Sequence, residues 1–252
     1  AVLTKGYSAM YPVQGWPYIY DRLFEVIAKS GEVRSSSPVK RVIIEDGAAR
    51  GVEMESGETI EAARVVVSLP SRRLFEVIDE SAVPADFARL CKEQTPTSGV
   101  VLDYGLKKKV SGDSGLWYFF DPMSFGLFTS NLCTEVAPPG KQLLTWLEPL
   151  DFAAMGDEST VKSVEERLEK AIFGRFPGLE EAIEWRRALH LRMVDGVEVN
   201  VRQHRGNRPG YRVPGVESLF LVGDSLKGPG AGGDVGHESV LECYEEMAGQ
   251  KV

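Results

Sequence analysis

Six residues near the C-terminal end have the types and spacing to hold a cofactor. The run from Leu219 to Gly223, LFLVG, reads as a buried strand, with Asp224 at its carboxyl end. A glycine-rich connection follows, and Gly232, Gly233, Asp234 and Val235 then open a helix that runs toward the C-terminus. A carboxylate at Asp224 accepts charge-assisted hydrogen bonds from hydroxyl groups. The first amides of the helix, unpaired and at the positive end of its dipole, favour negative charge. Glycines let a ligand approach the backbone, and the carboxyl edge of a parallel sheet is where α/β proteins bind ligands. The plainer alternative makes Asp224 a turn or capping residue and Asp234 a first-turn acid of an ordinary surface helix.

Other candidate chemistry is weaker. Gly228, Gly230 and Gly233 fit G-x-G-x-x-G, but five residues, Asp224 to Gly228 inclusive, lie between Gly223 and Pro229, so the glycines do not follow the strand directly, and no second strand ending in an acid follows. His190, His204 and His237 stand on unlike elements without metal spacing. Ser68, Ser225 and Ser239 lack the G-x-S-x-G elbow of a hydrolase. Cys91, Cys133 and Cys243 are odd in number and widely spaced, so the sequence predicts reduced core cysteines with no disulfide or zinc site. Trp16, Trp117, Tyr118, Phe119, Phe120 and Trp146 are candidates either for a small-molecule pocket or for the core. Lys227 lies in the loop over the proposed cofactor, where a solvated lysine is the alternative.

These groups need elements to position them. Ile19, Leu23, Val26 and Ile27 recur at helical spacing between Gly15 and Ser30, giving an amphipathic helix. Turn pairs Asp46-Gly47 and Ser56-Gly57 punctuate a β-meander that feeds Val65-Val66-Val67, an apolar run expected to be buried on both faces of a parallel sheet. Arg72 to Ile78 reads as a short helix, and Pro84 marks a crossing into another unit. Strand-like runs then follow, from SGVVLDYGL to QLLTWLEPL, interrupted by a helix from Glu158 to Phe173 with Val161, Val164, Leu168 and Ile172 on one face. A last strand spans Ala182 to Val194. HRGNRPGYRVPG returns as an irregular loop without periodic apolar residues, expected to be the first site of proteolytic cleavage.

Composition excludes some partners. A net charge of −8, with no basic run longer than Lys107 to Lys109, argues against nucleic acid and anionic membrane surfaces. No apolar run approaches the roughly 18 residues of a membrane helix and no signal segment opens the chain. The expectation is a cytoplasmic protein without an integral membrane segment; its oligomeric state is not legible.

The closing motif resembles the C-terminal signature of FAD-dependent oxidoreductases of the phytoene desaturase and flavin amine oxidase superfamily. The resemblance runs from about Tyr11 to Ala248. It implies a mixed α/β and α+β fold: part of an FAD-binding Rossmann-like domain, with parallel strands and a β-meander, and an inserted substrate domain of antiparallel sheet and helices. Residues 12–84 and 196–252 would belong to the first and 85–195 to the second. It further implies that Asp224 holds the ribityl and pyrophosphate region, with Gly223 before it also in the cofactor site, that the helix start faces the flavin pyrimidine ring, and that Val39, after Pro38, reads adenine through its backbone. Within the last helix a Ser-Gly pair of one branch is replaced by Ser239-Val240, which leaves open how closely that helix can pack.

The family's N-terminal strand, G-x-G-x-x-G turn and ribose-binding acid do not occur among these residues. The chain is therefore expected to be a C-terminal fragment, inactive by itself, with FAD held by the full-length parent and absent from this chain. The parent would transfer hydride from a small organic, apolar, desaturase-like substrate to flavin. The alternative is a non-catalytic module that binds a ligand or partner with the substrate-domain fold. No residue is assigned as catalytic and none as a metal ligand. Amine oxidases of the superfamily commonly carry a lysine on the first long strand of the substrate domain. Ungapped alignment of that strand onto Gly99 to Asp103 places Asp103 there, and a buried carboxylate beside the flavin disfavours amine oxidation.

Overall fold

A computed structural model describes residues 11–248. The chain divides into two compact units, one made of residues 35–97 and 193–252, the other of residues 1–34 and 98–192.

The first unit begins with an antiparallel meander of β1 (Val39–Glu45), β2 (Ala48–Met54) and β3 (Thr59–Glu61). Its first turn needs positive φ at both central residues, and Asp46 (49°) and Gly47 (73°) supply it. β4 (Val65–Val67) pairs in parallel with β10 (Leu219–Leu221), with Leu219 opposite Val65. An isolated bridge between Ala48 and Glu217 ties the meander to this pair. Val65 and Val67 are buried, but Val66 is 44% exposed, so β4 is covered on one face and not on both. A 3-10 segment at Ser71–Glu76 replaces the expected short helix, and α2 (Ala85–Lys92) follows. Phe87, Ala88 and Cys91 of α2 pack into the same core as Leu74, Phe220 and Cys243. The chain consequently leaves this unit after Thr97, where the sequence suggested Pro84. A proline at a helix start is as good a first-turn residue as a boundary mark.

The second unit is a five-stranded sheet in the order β6-β7-β8-β5-β9: β5 (Thr97–Leu106), β6 (Trp117–Phe120), β7 (Met123–Leu127), β8 (Gln142–Pro149) and β9 (Ile183–Asp195). Alternation gives each strand two distinct faces. Val100, Leu102, Tyr104 and Leu106 of β5, with Leu144 and Trp146 of β8, join a core with Val161, Val164, Leu168 and Ile172 of α4 (Glu158–Arg175). Asp157 caps α4 by accepting from the Ser159 amide at 3.1 Å. Short helices α3 (Thr129–Leu132) and α5 (Leu179–Ala182) complete the unit. The N-terminal helix α1 (Trp16–Ile27) forms where expected, yet none of its residues is buried. Among the described residues no helix is long and apolar enough to cross a membrane.

Candidate functional site

The carboxyl end of β10 is held by side chains that the linear pattern does not advertise. Gly223, at φ 136°, donates its N–H to Ser239 Oγ at 2.8 Å, and the Ser239 hydroxyl donates in turn to the Gly236 carbonyl at 2.6 Å. Ser239 is fully buried, while Val240 is 51% exposed. The hydroxyl thus fastens the strand end to the first turns of α6 (Gly233–Ala248), and Val240 points away. Close approach is reached through serine without a following glycine. Ser225, also buried, accepts from the Ser71 amide at 2.8 Å, which joins the loop after β10 to the loop after β4.

Asp224 lies where the sequence places it. Its Oδ2 accepts from the Gly196 amide at 2.8 Å. A Cβ at Gly196 would collide with Asp224 Oδ1, so this position requires glycine. Beside it stands Asp195, whose Oδ1 would lie 2.7 Å from a Cβ on Gly232, itself at φ +54°. The two carboxylates and the helix start therefore form one cluster. Burial, and next the negative charge of Asp224, push the Asp195 carboxyl above its ordinary value. Arg208 is 2% exposed, donates from Nε to the Gln203 carbonyl at 2.7 Å, and keeps Nη1 buried without a protein partner.

The raised Asp195 carboxyl has a consequence for stability. A carboxyl that binds its proton more tightly when folded contributes most below its unfolded pKa. That contribution is lost as pH rises through the folded value. Asp195→Asn is expected to raise Tm at pH 7 and to leave it unchanged at about pH 3, as followed by circular dichroism. An equal Tm at pH 7 would show that Asp195 is not strained by its neighbour.

The start of α6 is shaped by its own backbone hydrogen bonds. The Gly236 amide makes the first intrahelical bond, to the Gly232 carbonyl at 3.1 Å. The Asp234 amide turns back to the Ala231 carbonyl at 3.3 Å, so of the amides expected to face a ligand this one is engaged. Val235 is buried against Gly228, where a Cβ would come within 2.8 Å of it, and fixes the helix in place with its side chain. Val39 stands apart on the meander, opposite Met54.

The other singled-out residues fall out of the chemistry. Lys227 is exposed; its amide donates to the Pro209 carbonyl at 2.8 Å and its carbonyl accepts from Tyr211 Oη. These contacts, with buried Gln203, Arg208 and Tyr211, tie down the 204–212 loop. The expectation of an unanchored loop is thereby corrected: side chains bonding to backbone anchor it, and they leave no periodicity to read. His190 pairs with Glu165 at 2.8 Å, and the His204 ring caps its own turn. No metal-binding cluster occurs among the described residues. All three cysteines are free and buried, and burial pushes the Cys91 thiol up to about 12.

The second unit holds a cleft of about 580 Å³ on the sheet face opposite α4, and of the six candidate aromatics only Trp16 lines it. Trp146 is core, and Phe120 is 81% exposed. Asp103 is buried on this face, yet Arg187 donates to its Oδ2 from Nε at 2.9 Å and Nη2 at 2.6 Å, while Thr145 donates to Oδ1 at 2.8 Å. Asp103 is thus a buried carboxylate, as expected, and it is paired with the Arg187 cation. Trp185 lies flat over Gly105, where any Cβ would run into its indole. Gly105→Ala is expected to displace Trp185, costing about 1–3 kcal/mol by overpacking. The tryptophan emission spectrum and Tm check this, and an unshifted emission would contradict it.

Asp195, Gly196 and Arg187 were not foreseen. An Asp-Gly turn pair was the only local signal of the first two, and Arg187 meets Asp103 only through pairing of distant strands.

Comparison with known proteins agrees with this architecture. A family model described as flavin containing amine oxidoreductase matches residues 1–234. A zeta-carotene-forming phytoene desaturase from Myxococcus xanthus is 27% identical over 90% of this chain and 50% of its own length. The crystal structure of an oxidoreductase from Methanosarcina mazei superposes with a TM-score of 0.74 at 21% identity, covering 93% of this chain and 55% of that one. A Pyrococcus furiosus protein gives 0.71 at 16% identity, over 95% and 54%. The chain thus spans about half the length of the relatives it matches. With a parallel strand pair, a carboxylate at its end and a glycine-rich helix start all inside the matched region, the chain belongs to the family of flavin containing amine oxidoreductases.

Proposed function

We propose that these residues supply one part of the FAD site of an oxidoreductase, together with the unit that receives its substrate. The observation that carries the reading is the Asp224 carboxylate fixed between Gly196 and the start of α6. FAD, when bound, supplies the capacity to accept a hydride from an organic substrate. Asp224 accepts a hydrogen bond from a sugar hydroxyl of the cofactor through the lone pairs that Gly196 leaves open. The amides of Gly232, Gly233 and Val235 favour negative charge at the ring edge they face. Gly223 sets the bend that brings Asp224 forward, and Val39 reads adenine by its backbone. The first unit would be part of a Rossmann-like FAD domain, and residues 98–192 the substrate domain inserted in it.

The relative named for phytoene desaturation supports a small, largely apolar organic substrate. The 252 residues expressed alone are expected to retain FAD poorly, because the cofactor contacts proposed here are few. Absorbance of the gel-filtered protein near 450 nm tests this; a yellow preparation would show that this chain binds the cofactor unaided.

A further inference from the structure

We infer that the cleft of the second unit takes an uncharged, largely apolar molecule bearing one oxygen acceptor, a carbonyl or hydroxyl, and that Arg187 donates to that oxygen. The inference rests on the reading that this unit receives the substrate.

Three observations carry it. The first is charge balance. The cleft is lined by Asp103 and Glu184 on one side of the ledger and Lys141 and Arg187 on the other. Each cation is paired within the cleft, Lys141 with Glu184 at 2.6 Å and Arg187 with Asp103 at 2.6 Å. Tyr11, pushed up by burial and then by Cys133 and Asp103, stays a neutral phenol. A charged ligand would leave one net charge in a half-enclosed space, whereas a neutral ligand adds none.

The second is the state of Arg187. Two of the five guanidinium N–H donors go to a single Asp103 oxygen, and among the described residues Nη1 has no protein partner. Asp103, 4% exposed and braced by Thr145, fixes the plane of the fork. Only the carboxylate of this pair is buried: the Arg187 side chain is 60% exposed, so the pair is anchored at Asp103 and open at the guanidinium. At the lining of the cleft, the anchored carboxylate orients the donor.

The third is the wall. Trp16, Leu127, Val136, Leu143 and Trp185 offer apolar surface around the polar floor. Pockets of this make-up bind through apolar area and select through a few placed polar groups.

The test is a titration of the 252-residue chain, labelled with 15N, by 2-octanone, octanoate and octylamine at pH 7. The Arg187 Nε–H and Trp185 indole N–H resonances are followed. The proposal expects saturable shifts of both, with 2-octanone bound about tenfold more tightly than either charged probe. In the double variant Asp103→Leu with Arg187→Met, which keeps the cleft neutral, that preference should fall to about twofold or less. Tighter binding of octanoate or octylamine, or no saturable shift with any probe, overturns it. If the double variant does not fold, the ranking of the three probes on the unaltered chain decides. None of these outcomes depends on flavin, so failure here leaves the FAD reading standing, and failure to bind FAD leaves this result standing.

Discussion

Asp224→Ala is expected to weaken FAD binding by about one to two decades in Kd. A charge-assisted hydrogen bond to a cofactor hydroxyl is worth about 1.5–3 kcal/mol when one partner is truncated. The same substitution removes the acceptor of the Gly196 amide, 2.8 Å from Oδ2. Tm of the unliganded variant must therefore be read beside the affinity. Fluorescence titration of the protein in its longest natural reading frame gives Kd directly. An unchanged Kd would reduce Asp224 to a turn residue.

The largest stability effect is expected at Trp146. It is fully buried, its ring centroid lies 4.4 Å from that of Phe119 and 5.9 Å from that of Phe176, and Nε1 donates to Ser124 Oγ at 3.1 Å. Trp146→Ala removes this packing, leaves a cavity and takes one of two hydrogen-bond partners from the Ser124 hydroxyl, which still donates to the Pro122 carbonyl, at a cost of about 3–5 kcal/mol. Phe120→Ala, at a position 81% exposed, should stay within about 0.5 kcal/mol. Urea unfolding of both variants measures the contrast. Comparable losses would mean that Phe120 of β6 is packed in the core as Trp146 of β8 is.

That contrast also marks the limit of reading by residue type. Trp146 and Phe120 both looked like pocket candidates, but burial depends on which face of a strand the register turns inward. Local devices were legible because local physics makes them. The Asp46-Gly47 turn, the apolar stripe of α4 and the order of strand, acid, glycines and helix at Leu219 to Val235 each follow from spacing alone. Contacts between distant segments were not. Asp195 lies 37 residues before Gly232 at the helix start, and Arg187 finds Asp103 across 84 residues. The 204–212 loop looked loose because its anchors are hydrogen bonds from Arg208 and Tyr211 to backbone, which follow no period. Ser239 was legible as a residue but not as a clamp, since its partner, the Gly223 amide, lies 16 residues away.

The central claim, that the end of β10 and the start of α6 hold FAD, is tested most directly by a crystal structure of the protein with FAD bound. The account predicts an Asp224 carboxylate oxygen at about 2.5–2.7 Å from a sugar hydroxyl of the cofactor. It also predicts the first amides of α6 facing the pyrimidine edge of the ring. FAD seated elsewhere, with Asp224 bonded only to Gly196 and the helix start turned to solvent, would contradict it.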